Sequence, residues 1–172
     1  MTVLRRPDES HFDAWRAAVV DFNGTAMDGS GSWRVVDFGP DRTSFDALLA
    51  IVEEEGDTGA ELAPGHVHCT YYWVFDGAEQ VGFLALRHSI DTDFLRQFGG
   101  HIGYSVRPGR RREGHAARAL GLALDEARAL GLDRVLLTCD ETNAGSAATI
   151  ESQGGVLENR LEGKRRYWID LG

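Results

Sequence analysis

Only two cysteines, Cys69 and Cys139, stand in the 172 residues, and they are far apart. They form no CxxC pair, no zinc-ligand spacing and no disulfide framework, so a reducing, cytoplasmic setting is the expectation. No apolar run approaches the roughly 18–20 residues that cross a bilayer. Met1-Thr2-Val3-Leu4-Arg5-Arg6 leads into no signal-peptide core, and neither a membrane nor a secreted role is expected. Basic residues are in deficit, 18 against 27 acidic ones, for a net charge of −9. That argues against a nucleic-acid coat, which usually needs a basic face. An acidic field attracts cationic partners such as amines, although it equally serves solubility. Repeats, low-complexity tracts and linkers are missing as well. Residues 1–172 therefore read as a single domain, long enough to bury about 68–70% of its unfolded surface without a metal or a disulfide.

What is present alternates between the two hydrophobic periods. Thr2 to Arg6 reads as a strand stopped by Pro7. Asp8 to Asp21 reads as a helix, with Phe12, Trp15, Ala18, Val19 and Phe22 at helical spacing. Residues 23–42 are rich in Gly, Ser and Asp and predict a long loop, of the kind that is usually functional or mobile. Ser44 is read as the cap of a helix running to Glu55, with Glu53-Glu54-Glu55 facing water. Cys69 to Phe75 and Val81 to Leu86 predict a hairpin about Asp76-Gly77, and Trp73, Tyr71, Phe75 and Phe83 on it read as core. Ile102 to Val106 predicts a strand, Gly114 to Leu130 a helix closed by Gly131, Arg134 to Cys139 a buried strand and Ala144 to Ser152 a short helix. Val156 to Asn159 and Tyr167 to Leu171 read as the last strands. The segment 102–139 is long enough for a right-handed parallel crossover. The fold class is α/β (α+β), a mixed sheet of about six or seven strands with helices on both faces.

The chemistry concentrates in Val106-Arg107-Pro108-Gly109-Arg110-Arg111-Arg112-Glu113-Gly114-His115-Ala116, between a strand and a helix. The first N–H groups of a helix have no intrahelical partner, and the helix dipole adds partial positive charge there. Gly114 and the small Ala116 admit a ligand close to that backbone, and flanking arginines supply charge-assisted hydrogen bonds. A phosphate or pyrophosphate cradle follows; a solvated arginine turn before an ordinary helix is the competing reading. The segment is neither a Walker A loop nor a GxGxxG dinucleotide fingerprint.

Val106-x-Pro108-x-x-Arg111-x-x-Gly114-x-Ala116 resembles the V-x-P-x-x-[QR]-x-x-G-x-[GA] signature of the GNAT superfamily of acyl-CoA-dependent N-acyltransferases. Asn143 after the next strand, Ser146 three residues on and Gly154-Gly155 closing the short helix agree with it. So does the β-α-α-β-β-β-α-β-α-β-β element order. Gly100-His101-Ile102-Gly103-Tyr104-Ser105-Val106 is similar to a subgroup of predicted bacterial acetyltransferases. The resemblance implies acetyl-CoA as cofactor. Its pyrophosphate would lie on the backbone of Arg111, Arg112, Glu113, Gly114, His115 and Ala116, with the Arg111 and Arg112 side chains approaching the phosphates. The strand ending at Val106 would diverge from the 134–139 strand, and the pantetheine arm would lie in that gap along Tyr104, Ser105 and Val106, with Asn143 and Ser146 beside it. The Val106 N–H would face the thioester carbonyl as oxyanion donor.

Three positions depart from the family pattern. Arg112 stands where glycine is common, and Glu113 stands where a basic residue is common, so that its charge would repel a pyrophosphate unless it points to solvent. The family's acid tyrosine lies seven residues after the asparagine, and here that residue is Ile150. Tyr104 is the preferred substitute acid, with Ser146 and Cys139 as others. An alkylamine is protonated at neutral pH and needs a base. His101 at the start of the central strand has a suitable intrinsic pKa of about 6.5, and a surface-exposed strand-end histidine is its alternative. His88 could face the same cleft. His66 and His68 share a loop but lack a third ligand, so no metal is expected. Asp140-Glu141 could hold an ammonium or merely enter a helix, and Lys164-Arg165-Arg166 reads as a solvated turn.

The resulting expectation is transfer of an acetyl group from acetyl-CoA to a primary amine, a small molecule or a peptide, by direct attack in a ternary complex. The loop 23–42 and the segment 91–99 would shape the acceptor pocket. A non-catalytic acyl-CoA-binding or sensor module on the same fold is the alternative that Ile150 favours. A plain phosphate- or nucleotide-binding domain is a third. A homodimer is implied by the resemblance alone.

Overall fold

The computed structural model describes all residues 1–172. Seven strands and four α-helices alternate along the chain: β1 (Thr2–Arg5), α1 (Phe12–Phe22), α2 (Arg42–Gly56), β2 (Cys69–Asp76), β3 (Glu79–Arg87), β4 (Ile102–Val106), α3 (His115–Ala129), β5 (Arg134–Asp140), α4 (Ala144–Ser152), β6 (Val156–Leu161) and β7 (Lys164–Asp170). The expected element order and mixed α+β class are both present. Boundaries shift where a competing cap wins. Asp41 rather than Ser44 caps α2, its carboxylate accepting from the Ser44 N–H at 2.8 Å, while the Ser44 hydroxyl serves the Gly39 N–H. A 3₁₀ turn over Glu9–His11 precedes α1. No helix is long and apolar enough to cross a membrane.

The strands form two sheets, β1-β2-β3-β4 and β5-β7-β6, and every hydrogen-bonded pair is antiparallel. The alternating side chains of β2 explain why helices cover both faces of the first sheet. Trp73 and Phe75 point to a cluster with Trp15, Phe22, Phe45 and Leu48 of α1 and α2. Tyr72 and Val74 point the other way, to Ala119, Leu120, Ala123 and Ala127 of α3. The same cluster extends to Val135, Leu137, Tyr167 and Ile169 of the second sheet and to Ala147 and Ile150 of α4. One continuous core thus joins the sheets beneath their junction.

Between β4 and β5, where the resemblance implied that the strands diverge, no ladder forms. The strands touch just before β4, where the His101 N–H donates to the Leu136 carbonyl at 2.7 Å. The Leu136 N–H in turn donates to His101 Nδ1 at 2.9 Å. Gly100 permits this approach, since a Cβ there would collide with the Leu136 carbonyl, and its φ of 64° is one side chains disfavour. Beyond that point no strand pairing joins β4 to β5, and a cleft opens between the two sheets.

Candidate functional site

The cleft encloses about 1660 Å³, more than the roughly 300–1,000 Å³ of a single small-ligand pocket. One end lies at the N-terminus of α3. There, none of the amides from Arg112 to Ala117 has an acceptor in the chain, although Arg111, Arg112, Gly114, His115 and Ala116 all line the cleft. Such a row of donors at a helix start is an anion cradle. Of the four arginines, Arg107 is held by Asp21 (2.7 Å) and Glu79, and Arg110 by Asp76, Glu79 and Glu113. Arg111 Nε donates to the Val106 carbonyl at 2.9 Å, and its terminal nitrogens, like the whole Arg112 guanidinium, have no partner in the chain.

Two residues of the expected cofactor set turn their side chains away. Glu113 does not line the cleft. Its carboxylate accepts from Arg110 Nε at 3.0 Å and lies 3.2 Å from His115 Nε2, and these contacts, the Arg110 hydrogen bond first, hold it below the usual carboxylate range. The repulsion its sequence position suggested is thereby removed. His115 is buried, its Nδ1 taking the Thr2 hydroxyl at 2.9 Å, so it offers the cleft backbone rather than imidazole. Arg112 sits at φ 69°, a left-handed conformation that costs a side-chain-bearing residue about 1–2 kcal/mol. Arg112→Gly is expected to raise the melting temperature of the free protein by about 2–4 °C, since about 1 kcal/mol of strain outlasts glycine's entropic penalty. A lower melting temperature in calorimetry would refute that assignment of strain.

β4 forms the middle of the cleft. The Arg87 N–H donates to His101 and the Arg107 N–H to Val81 across the β3–β4 ladder, so the alternation turns the N–H and C=O groups of Tyr104 and Val106 to the opposite, open edge. Facing them, Asn143 caps α4 by accepting the Ser146 N–H at 3.0 Å, and its side-chain NH2 has no partner. The Tyr104 hydroxyl crosses the cleft to Ser146 Oγ at 2.9 Å, and burial pushes its pKa up to about 12. Ser105 lines the cleft too, its hydroxyl donating to the Asp28 carbonyl at 2.8 Å. Ile150 is fully buried in the core, so α4 presents Ser146 and Thr149 to the cleft instead.

The base role read for His101 does not fit its position. The ring lies outside the cleft lining, is 6% exposed, and uses Nδ1 to accept the Leu136 N–H. Burial, assisted by Arg87, lowers its pKa to about 4. It is neither a base facing the cleft nor a surface histidine. His88 also stays outside, bonded to Thr70 Oγ1 at 2.8 Å, and no three or more His, Cys, Asp or Glu side chains gather as a metal set.

The other end of the cleft is built from acidic, basic and aromatic groups, of which the sequence had not singled out Asp28, Trp33 or Phe94. Glu55, expected to face water, is only 5% exposed, because it turns inward to accept the Tyr71 hydroxyl at 2.6 Å and Arg34 Nη1 at 2.5 Å. Asp28 lines the cleft, and its carboxyl is raised above the ordinary range, mainly by the protein around it, with Lys164, Asp140 and Arg87 nearby. Asp140 pairs with Lys164 at 2.5 Å. Lys164-Arg165-Arg166 is therefore no solvated turn: β7 begins there, Arg165 donates to the Glu141 carbonyl, and Arg166 to Glu158 and the Arg96 carbonyl. Trp33 of the 23–42 loop and Phe94 beside the 95–99 turn form an aromatic rim, 74% and 65% exposed.

The split sheet thus has an unpaired strand edge that leads to a helix-start anion cradle. Residues 40–154 match the Acetyltransferase (GNAT) family, and the chain belongs to that family and is an acetyltransferase of the GNAT type, a class whose acyl donor is acetyl-CoA. Among solved structures it is similar to Mycobacterium smegmatis RimJ in complex with CoA-disulfide, with a TM-score of 0.72 and 20% identity, covering 98% of this chain and 81% of that one. It is also similar to a Salmonella typhimurium acetyltransferase that modifies the N-terminal serine of ribosomal protein L7/L12, with a TM-score of 0.67 and 17% identity over 98% and 94% of the two chains. The microcin C7 self-immunity acetyltransferase MccE, in complex with acetyl-CoA and AMP, aligns with a TM-score of 0.67 and 15% identity over 98% and 92%. No curated protein matches the chain in sequence.

Proposed function

We propose that residues 1–172 act as one catalytic domain that transfers an acetyl group from acetyl-CoA to a primary amine by direct attack in a ternary complex. The observation that carries this reading is the row of unpartnered amides from Arg112 to Ala117 leading into the open edge of β4. The cradle amides with Arg111 and Arg112 would hold the pyrophosphate, Tyr104 and Val106 would pair with the pantetheine arm, and Asn143 would fasten it from α4. When bound, acetyl-CoA supplies an activated acetyl thioester. The Val106 N–H, turned to the open edge, supplies a preorganised donor for the carbonyl, a contribution of about 2.7–4 kcal/mol where such donors have been removed. Tyr104 keeps its proton at neutral pH and presents it where β4 faces α4. The acidic, aromatic-rimmed end would take the amine, as the protein and peptide acceptors of the structural neighbours suggest.

The test is release of free thiol from acetyl-CoA in the presence of a panel of amines, with Tyr104→Phe beside the parent. Loss of a positioned acid costs roughly 10²–10⁴-fold. Because a thiol of pKa ~8.5 leaves readily, we expect about 10²-fold in kcat for Tyr104→Phe, with acetyl-CoA binding retained. Unchanged kcat would remove Tyr104 from the chemistry, and binding of acetyl-CoA without thiol release for any amine would overturn the transferase reading.

A further inference from the structure

With His101 withdrawn to the sheet junction, the cleft needs another group to receive the acceptor's proton. We propose that Asp28 is the catalytic residue that binds the acceptor's ammonium and takes its proton, and that the acceptor is a weakly basic α-amine rather than a lysine-like alkylamine. The inference rests on the transfer reading above and names the residue that would complete it.

The placement is built by the backbone. Gly29 lies on β4 so closely that a Cβ there would collide with the Gly103 carbonyl, and the Ser105 hydroxyl holds the Asp28 carbonyl at 2.8 Å. Asp28 is therefore pinned over Gly103–Ser105, next to the open edge at Tyr104 and Val106. It is also the uncommitted carboxylate of this region: Asp140 is paired with Lys164 and Glu55 with Arg34 and Tyr71, whereas no donor of the chain bonds the Asp28 side chain. The charged groups around it are Lys164 on β7, Asp140 on β5 and Arg87 on β3. It is open to water in the free cleft, and a ligand filling the cleft would strip that water away.

In the step itself one N–H bond of the ammonium breaks, its electron pair stays on nitrogen, and the proton forms an O–H bond on the Asp28 carboxylate, to be lost later to water. A carboxylate is a weak base for an alkylammonium of pKa about 10.4, but the gap shrinks by more than two units for an α-amine of about 7.7–8.0. The raised carboxyl of Asp28 narrows it further.

The test uses Ser-Ala dipeptide amide and Nα-acetyl-lysine amide with the full chain. The parent is expected to prefer the dipeptide. Asp28→Asn should lower kcat/KM for it about 10²-fold and lose the acidic limb of the pH profile, and Asp28→Glu should restore part of the rate. The melting-temperature gain from acetyl-CoA should be the same in all three. A second readout needs neither donor nor turnover: the carboxyl carbon of Asp28, followed by ¹³C NMR, should titrate above the usual aspartate range and shift down when the dipeptide amide is added. An Asp28→Asn rate within twofold of the parent, or a carboxyl carbon indifferent to the dipeptide, overturns the proposal, and a preference for the lysine amide overturns the acceptor class. A responsive carbon with no turnover would support Asp28 as the ammonium site while the transfer reading fails.

Discussion

The Ala116→Glu variant is expected to melt at or slightly above the parent's temperature and yet to lose its stabilisation by acetyl-CoA. Ala116 lies in the first turn of α3 and lines the cleft, where the neighbouring amides have no partner. A carboxylate near a helix N-terminus interacts favourably with the dipole, by about 0.3–1 kcal/mol. The same charge laid into a pyrophosphate cradle repels the ligand and competes for its donors. For the parent, acetyl-CoA at a hundredfold excess over its dissociation constant adds about 2.7 kcal/mol. At about 2–4 °C per kcal/mol for a chain of this size, that is a rise of about 5–10 °C. The opposite signs separate binding from folding in one measurement, differential scanning calorimetry with and without ligand. A variant that keeps the full rise would place the pyrophosphate elsewhere, and a parent with no rise would remove the donor site altogether.

The cradle was legible because everything it needs is local: strand, Pro108, arginines, Gly114 and helix follow within one segment. The sequence could even raise the objection of Glu113, but it could not show the answer, because the ion pair to Arg110 depends on how the turn folds back. The fold was legible for a related reason. The period of two in Cys69–Phe75 and the helical spacing in α1 and α3 record which faces are buried, and the two clusters on either side of the first sheet follow that record.

Asp28 left no such record. It sits in a loop whose Gly, Ser and Asp content marks irregular chain and nothing more. Its position comes from the Gly29–Gly103 approach and the Ser105 hydrogen bond, contacts between residues more than seventy apart in sequence. Lys164-Arg165-Arg166 misled for the opposite reason, because a run of bases looks solvated until the ladder with β5 sets Lys164 opposite Asp140. His101 misled because its intrinsic pKa suits a base, whereas burial at the β4–β5 junction makes it a poor one.

That burial makes the second large effect a matter of stability. His101 is expected to render the fold acid-sensitive, and His101→Asn to flatten the dependence. The folded-state pKa is about 4 against an ordinary 6.5. Between those values the unfolded chain binds a proton at this residue and the folded chain does not, so stability increases with pH across the window and falls as the solution is acidified from 6.5 towards 4. Above 6.5 the contribution is complete, and below about 4 nothing further is lost. At 1.36 kcal/mol per unit, the loss attributable to His101 is about 3 kcal/mol. Asparagine does not titrate, and its Oδ1 can accept the Leu136 N–H in place of Nδ1, so the junction keeps its hydrogen bond. The smaller side chain leaves space beside Trp168, whose ring centroid lies 6.3 Å from the imidazole, and about 1 kcal/mol is lost at pH 7. Urea unfolding at pH 7 and pH 4.5 should therefore find the parent more stable at the first pH and the variant equal or better at the second, since carboxylates elsewhere contribute alike to both. Parallel pH dependences would mean that the imidazole is protonated in the folded chain, and the junction between the sheets would then have to be held by the His101 N–H bond to Leu136 alone.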